Sequence, residues 1–181
     1  MNFEELKNTL KQQEMDKFFE QRTNDHITAV QRYCKAVEDD DNLRFKGLTE
    51  LGLLHDQTKY SNDEIMPYTY YTWKRKCKDV GEEFTEDPAM EVAFGEAWKH
   101  HYTHNKHHPE HYEDLEKMKD LHLAEMVADW FAVGEEFGNG ARAWADEKIG
   151  SRFKFNEQQV DLIYQIIDTL ENLPKEETNE Y

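Results

Sequence analysis

Two side-chain types, imidazole and carboxylate, recur along this chain at spacings that suit a metal ion. His55 and Asp56 lie inside the run Leu53-Leu54-His55-Asp56-Gln57-Thr58-Lys59. His26 precedes them, and Glu125 and Asp129 follow, four residues apart and so on one face of a helix. The order His … His-Asp … Asp offers two imidazoles and two carboxylates, a set that suits a divalent Mn, Fe, Co, Ni or Zn ion. Water or substrate would fill the remaining positions. Such an ion lowers the pKa of its bound water and polarises a phosphoryl oxygen. Lys59, one helical turn after His55, suits a substrate phosphate or a surface ion pair. Glu125 suits a second role, orienting a ligand histidine or relaying a proton, or else a surface pair.

Residues 100–111 hold six of the nine histidines: His100, His101, His104, His107, His108 and His111. On a helix several of them pair at i,i+3 or i,i+4, spacings that can chelate one ion. Phosphate binding, stacking and helix capping are the competing uses. His122, beside an apolar helix face, reads as structural. Lys106 and Arg75 are candidate phosphate clamps, and Tyr68, Tyr70, Tyr71 and Trp73 read as core and pocket wall.

The elements that must carry these groups read as helices. Apolar residues from Phe3 to Phe19 recur with a helical period. Thr23-Asn24-Asp25 suggests a cap that opens a second helix through His26 and Val37, stopped by the acidic run 38–41. Leu48, Leu51, Leu53 and Leu54 suggest a short buried helix ending at His55-Asp56. Ser61 and Glu64 have the spacing of a capping box for the helix through Trp73. Asp87-Pro88 caps the helix that delivers His100 and His101. Pro109 is expected to start another helix. Leu121 to Phe137 is strongly amphipathic, and Asn156 with Gln159 suggests a capping box for the last helix, followed by a polar tail after Pro174. No stretch alternates with period two. The expected fold is all-α, with an N-terminal helix (1–22) packing on a core (23–150) and a C-terminal helix and tail (151–181).

Composition narrows the function classes. The chain has 181 residues, 34% of them charged and 13% aromatic, so it has material for one domain with a core. The net charge of -17 argues against general nucleic-acid or anionic-membrane binding. The two cysteines, Cys34 and Cys77, are too few for a disulfide framework and suit a reducing cytosol. Neither a secretory signal nor a membrane span is expected. The aromatic-rich helices are compatible with a homodimer.

The run Leu53–Lys59, taken with His26 and Asp129, resembles the signature of the HD-domain superfamily of metal-dependent phosphohydrolases, over about residues 20–137. The resemblance implies an all-α, single-domain HD-like bundle. It also implies that His26, His55, Asp56 and Asp129 hold one ion, and that His101 with His107, His108 or both recruits a second. It implies a phosphohydrolase acting on a small phosphorylated molecule, most readily a nucleotide, with metal-bound water attacking phosphorus and Asp56, Lys59 and Glu125 serving catalysis. A second, narrower likeness joins His55-Asp56 and Lys59-Tyr60-Ser61 to Asn105-Lys106-His107-His108-Pro109, Glu125-Met126 and Asp129-Trp130. It is to an uncharacterised HD-like family of phages and bacteria, which carries no activity with it. Three rival readings use the same residues: a non-catalytic metal-dependent nucleotide-binding module, a purely structural helical protein that keeps an HD-like shell, and a di-iron HD-like oxygenase.

Overall fold

The computed structural model describes residues 3–43 and 45–173, without the side chains of Phe3 and Glu4. The protein is all-α, with no strand among the described residues. The helices are α1 (Phe3–Glu38), α2 (Leu48–Gly52), α3 (Ile65–Val80), α4 (Pro88–His104), α5 (Asp120–Phe137), α6 (Ala141–Lys148) and α7 (Glu157–Glu171). Short 3-10 turns occur at Gln57–Tyr60, Pro109–His111 and Leu115–Lys117. The polar tail expected after Pro174 lies outside the described residues.

α1 is one unbroken helix, and this corrects the expected break at Thr23-Asn24-Asp25. Nothing between residues 3 and 38 forces a break, since the segment has no glycine or proline. The cap-type side chains have other work. Asn24 Oδ1 accepts a hydrogen bond from the Tyr60 hydroxyl, and Asp25 accepts one from Gln21, each at 2.8 Å. His26 therefore sits within a long helix, not early in a new one.

Contacts divide the chain into two compact units, each built from two stretches of sequence. The first comprises Met1–Thr28 and Leu54–His111. Its core gathers Phe19 of α1, Tyr68 of α3 and Ala97 of α4, with Tyr60, Ile65 and Phe94 around them. Tyr71 stacks on Phe94 at 3.9 Å and is otherwise exposed, so of the aromatic residues of α3 it is Tyr68, Tyr70 and Trp73 that are buried. Asp87 caps α4 by accepting from Ala89 N, with Pro88 in the first turn, as the sequence suggests.

The second unit comprises Ala29–Leu53 and Tyr112–Tyr181. Its larger core brings Val30, Cys34 and Val37 of α1 together with Leu48, the inner face of α5, and Ile163, Ile166 and Ile167 of α7. The Asn156–Gln159 capping box of α7 is formed in both directions. Glu38 ends α1 and turns its carboxylate onto the start of α2, accepting from Gly47 N at 3.0 Å and Thr49 N at 2.6 Å. The first residue of the acidic run therefore satisfies backbone N–H groups at the start of α2. α2 stops at Gly52, so Leu53 and Leu54, expected in a buried helix, are instead exposed at 57% and 69%. Gly52 packs against Cys34, where an added Cβ would come within 3.1 Å of Cys34 Cβ.

Candidate metal centre

Asp56 is the hub of the first unit. It lies in the turn between α2 and the 3-10 turn Gln57–Tyr60, with a left-handed backbone (φ 55°). It is the one non-glycine residue with positive φ among those described. Aspartate tolerates this region better than most residues, but the conformation still carries a cost. Its side chain is buried, as is that of His55 before it.

The two oxygens of Asp56 face different groups. Oδ1 lies 3.2 Å from His101 Nε2 and 3.4 Å from His107 Nε2. Oδ2 lies 2.6 Å from Lys59 Nζ, 3.6 Å from His55 Nε2 and 3.7 Å from His26 Nε2. The His107 ring approaches those of His55 and His108 with centroids 4.3 and 4.2 Å apart. One ligand atom each from Asp56, His101, His107 and His108 lies within 4.8 Å of the other three. Oδ1 of Asp56 is buried and accepts no hydrogen bond among the described residues. A buried carboxylate oxygen facing imidazole nitrogens at these distances is the environment a divalent ion satisfies.

Local structure explains the convergence. His101 comes from the last turn of α4, which Asn105 ends by donating from Nδ2 to His101 O at 2.8 Å. Asn105 also donates to Thr58 Oγ1 at 2.8 Å, which ties the end of α4 to the turn after Asp56. The chain then folds back, so that His107 and His108 return to the side that His101 occupies before Pro109 begins its 3-10 turn. Trp98, one turn before His101, lies near both His101 and His108, at 5.9 and 5.2 Å between centroids.

Electrostatics follow from this crowding. Burial alone would raise the Asp56 carboxyl, but His55, Lys59 and His101 outweigh it and hold it well below the usual carboxylate range. Burial likewise disfavours a charged His101, but Asp56 and Glu64 overcome that and push it up to about 9. Lys59, read as a candidate for a substrate phosphate or an ion pair, is the closest partner of Asp56, at 2.6 Å.

The remaining histidines of the cluster have separate uses. His100 meets Glu64 Oε1 through Nδ1 at 2.7 Å. His104 is exposed and its Nδ1 faces His100 O at 2.8 Å, while His111 Nδ1 faces Tyr102 O at 3.1 Å. Pairing at i,i+4 therefore stacks His100 on His104 without making a chelate. Lys106 and Arg75, the candidate clamps, are exposed.

Glu125 and Asp129 belong to the second unit, on α5. Glu125 is buried, 3.8 Å from His122 Nδ1; burial, and after it the Glu125 charge, pushes the Tyr112 hydroxyl up to about 12. Both carboxylates add to the burial that raises the Cys34 thiol. Both cysteines are free and buried. No helix among the described residues is long and apolar enough to cross a membrane.

The residue that sequence reasoning missed is Glu64. Its spacing from Ser61 reads as a capping box, yet no side chain caps α3, and the Glu64 carboxylate is fully buried between His100 and His101. Two adjacent histidines facing one buried acid is a signal that only the fold makes visible.

Fold and site together define a class: an all-α protein with a buried imidazole–carboxylate cluster that can hold a metal ion. The chain belongs to the DUF5662 family, a family of unknown function whose model matches residues 15–173. Comparison with curated proteins and with solved structures gives no match.

Proposed function

We propose that the protein is a metal-dependent phosphohydrolase of HD type, acting on a small phosphorylated molecule, most readily a nucleotide. The observation that carries the proposal is Asp56, whose two buried oxygens each face imidazole nitrogens at 3.2–3.7 Å. His101, His107 and His108 on one side of it, with His55 and His26 on the other, would hold one or two divalent ions. An imidazole-rich set with one carboxylate favours Zn, Fe, Co, Ni or Mn over Mg or Ca. A bound ion would supply Lewis-acid polarisation of a phosphoryl oxygen and acidify a water.

The chain's own residues supply the rest. Asp56 brings negative charge among the imidazoles and beside the Lys59 ammonium. Lys59 shares that carboxylate, and its ammonium would be available to a substrate phosphate if the Asp56 charge were held by a bound ion. The expectation that Asp129 joins the ligands and Glu125 serves proton transfer rests on the sequence order, and D129A and E125Q test it separately. The deciding experiment is phosphate release from a panel of nucleotides and simple phosphate esters with Mn, Co, Ni or Zn. Turnover that disappears in D56A supports the proposal. Equal turnover in D56A overturns it, and thermal stabilisation by a nucleotide without product points to the binding module instead.

A further inference from the structure

Glu64 occupies a costly position. Its carboxylate is fully buried, and burying an ionised acid is tolerated only when its oxygens are well paired. Both are. Oε1 lies 2.7 Å from His100 Nδ1, and Oε2 lies 2.8 Å from His101 Nδ1. A carboxylate held this closely by two ring nitrogens accepts hydrogen bonds and donates none. Each Nδ1 must therefore carry the hydrogen that Glu64 accepts. For His101 this leaves Nε2 as the nitrogen that turns towards Asp56 Oδ1, 3.2 Å away.

We propose that Glu64 is a positioning residue for the metal centre: it fixes the proton of His101 on Nδ1 and presents Nε2 as the ligand atom beside Asp56. This rests on the metal reading above and adds a residue to it. The second nitrogen of a ligand histidine is commonly held by a carboxylate in this way, and loss of such a partner weakens metal affinity. His100 has a different place. It occupies the other oxygen of Glu64 and so compensates the buried charge without itself facing Asp56.

The substitution that separates the roles is E64Q. Glutamine keeps the shape, but its one carbonyl oxygen can accept from only one of the two rings, and its NH2 group meets the other with hydrogens. Zinc affinity of the full chain, measured by competition with a chromophoric chelator, should fall by about 10–100-fold in E64Q. H100A removes the partner of the other oxygen but leaves the Glu64–His101 contact, and should lower zinc affinity less than E64Q. The wild-type chain gives an answer that depends on no variant's folding. Long-range 1H–15N spectra of the zinc-loaded protein should show His101 with a slowly exchanging Nδ1–H and a zinc-shifted Nε2. Zinc on Nδ1, or equal affinity in E64Q and wild type, overturns the role of Glu64 while the metal reading stands. A wild-type chain that binds no zinc, manganese, cobalt, nickel or iron overturns the metal reading and this proposal with it.

Discussion

Replacing Asp56 by asparagine should flatten the pH dependence of stability of the metal-free protein. The substitution keeps the shape, and asparagine accepts the left-handed backbone at φ 55°. It removes the charge that Lys59 and His101 share at 2.6 and 3.2 Å. In the folded wild type His101 is pushed from 6.5 up to about 9. A gap of about 2.5 pH units, at about 1.4 kcal/mol each, corresponds to roughly 3–4 kcal/mol. The pKa is raised on folding, so this stability is fully present below pH 6.5 and lost as pH rises through about 9. The assay is urea unfolding in the presence of a chelator at intervals from pH 6 to 10. Wild type should lose roughly 3–4 kcal/mol more than an H101Q control, in which the titrating ring is absent. D56N should retain only the part of that fall that Glu64 sustains. A wild-type fall undiminished in D56N would refute the reasoning, and so would stability that climbs over this range.

Saturating zinc should raise the melting temperature. An ion at about 100 times its dissociation constant adds about 2.7 kcal/mol, or roughly 5–11 °C for a chain of this length. A chelator should reverse the rise, and D56A should show none. G134A should destabilise the second unit, because a Cβ there would stand 2.3 Å from Asn139 O, a backbone atom with little room to move. The expected cost is about 1–3 kcal/mol by urea unfolding, and a variant as stable as wild type would contradict that close approach. Glu38 is held down to about 2, first by its bonds to Thr49 and Gly47. Its stabilisation is therefore present above pH 4.5 and lost as pH falls through about 2. E38Q should lose less stability than wild type between pH 5 and 2, and equal losses would refute the role of those bonds.

Helices with unambiguous punctuation were legible in the sequence. Asp87-Pro88 and Asn156 with Gln159 each mark a helix start through a local rule that no distant contact overrides. The errors arose where tertiary partners compete for the same side chains. Thr23-Asn24-Asp25 has cap chemistry, yet Asn24 bonds Tyr60 and the helix runs on. Ser61 and Glu64 have cap spacing, yet two histidines of α4 claim the acid. Leu53 and Leu54 look like core because they are apolar, but the helix ends one residue earlier and they face solvent. Around Asp56 the residue types suggested metal chemistry. The grouping of His101 with His107 and His108 was implied by the resemblance; what could not be read was that Lys59 would be the near partner of Asp56, or that Asn105 would tie the end of α4 to Thr58.

The central claim is that Asp56 and the histidines around it bind a metal ion, and anomalous diffraction from crystals of the full chain grown with zinc, recorded at the zinc edge, tests it most directly. The account predicts a strong peak bonded to Asp56 and to Nε2 of His101, with His107 or His108 completing the set. No peak at Asp56, with ordered zinc confined to surface histidines such as His104, would contradict it.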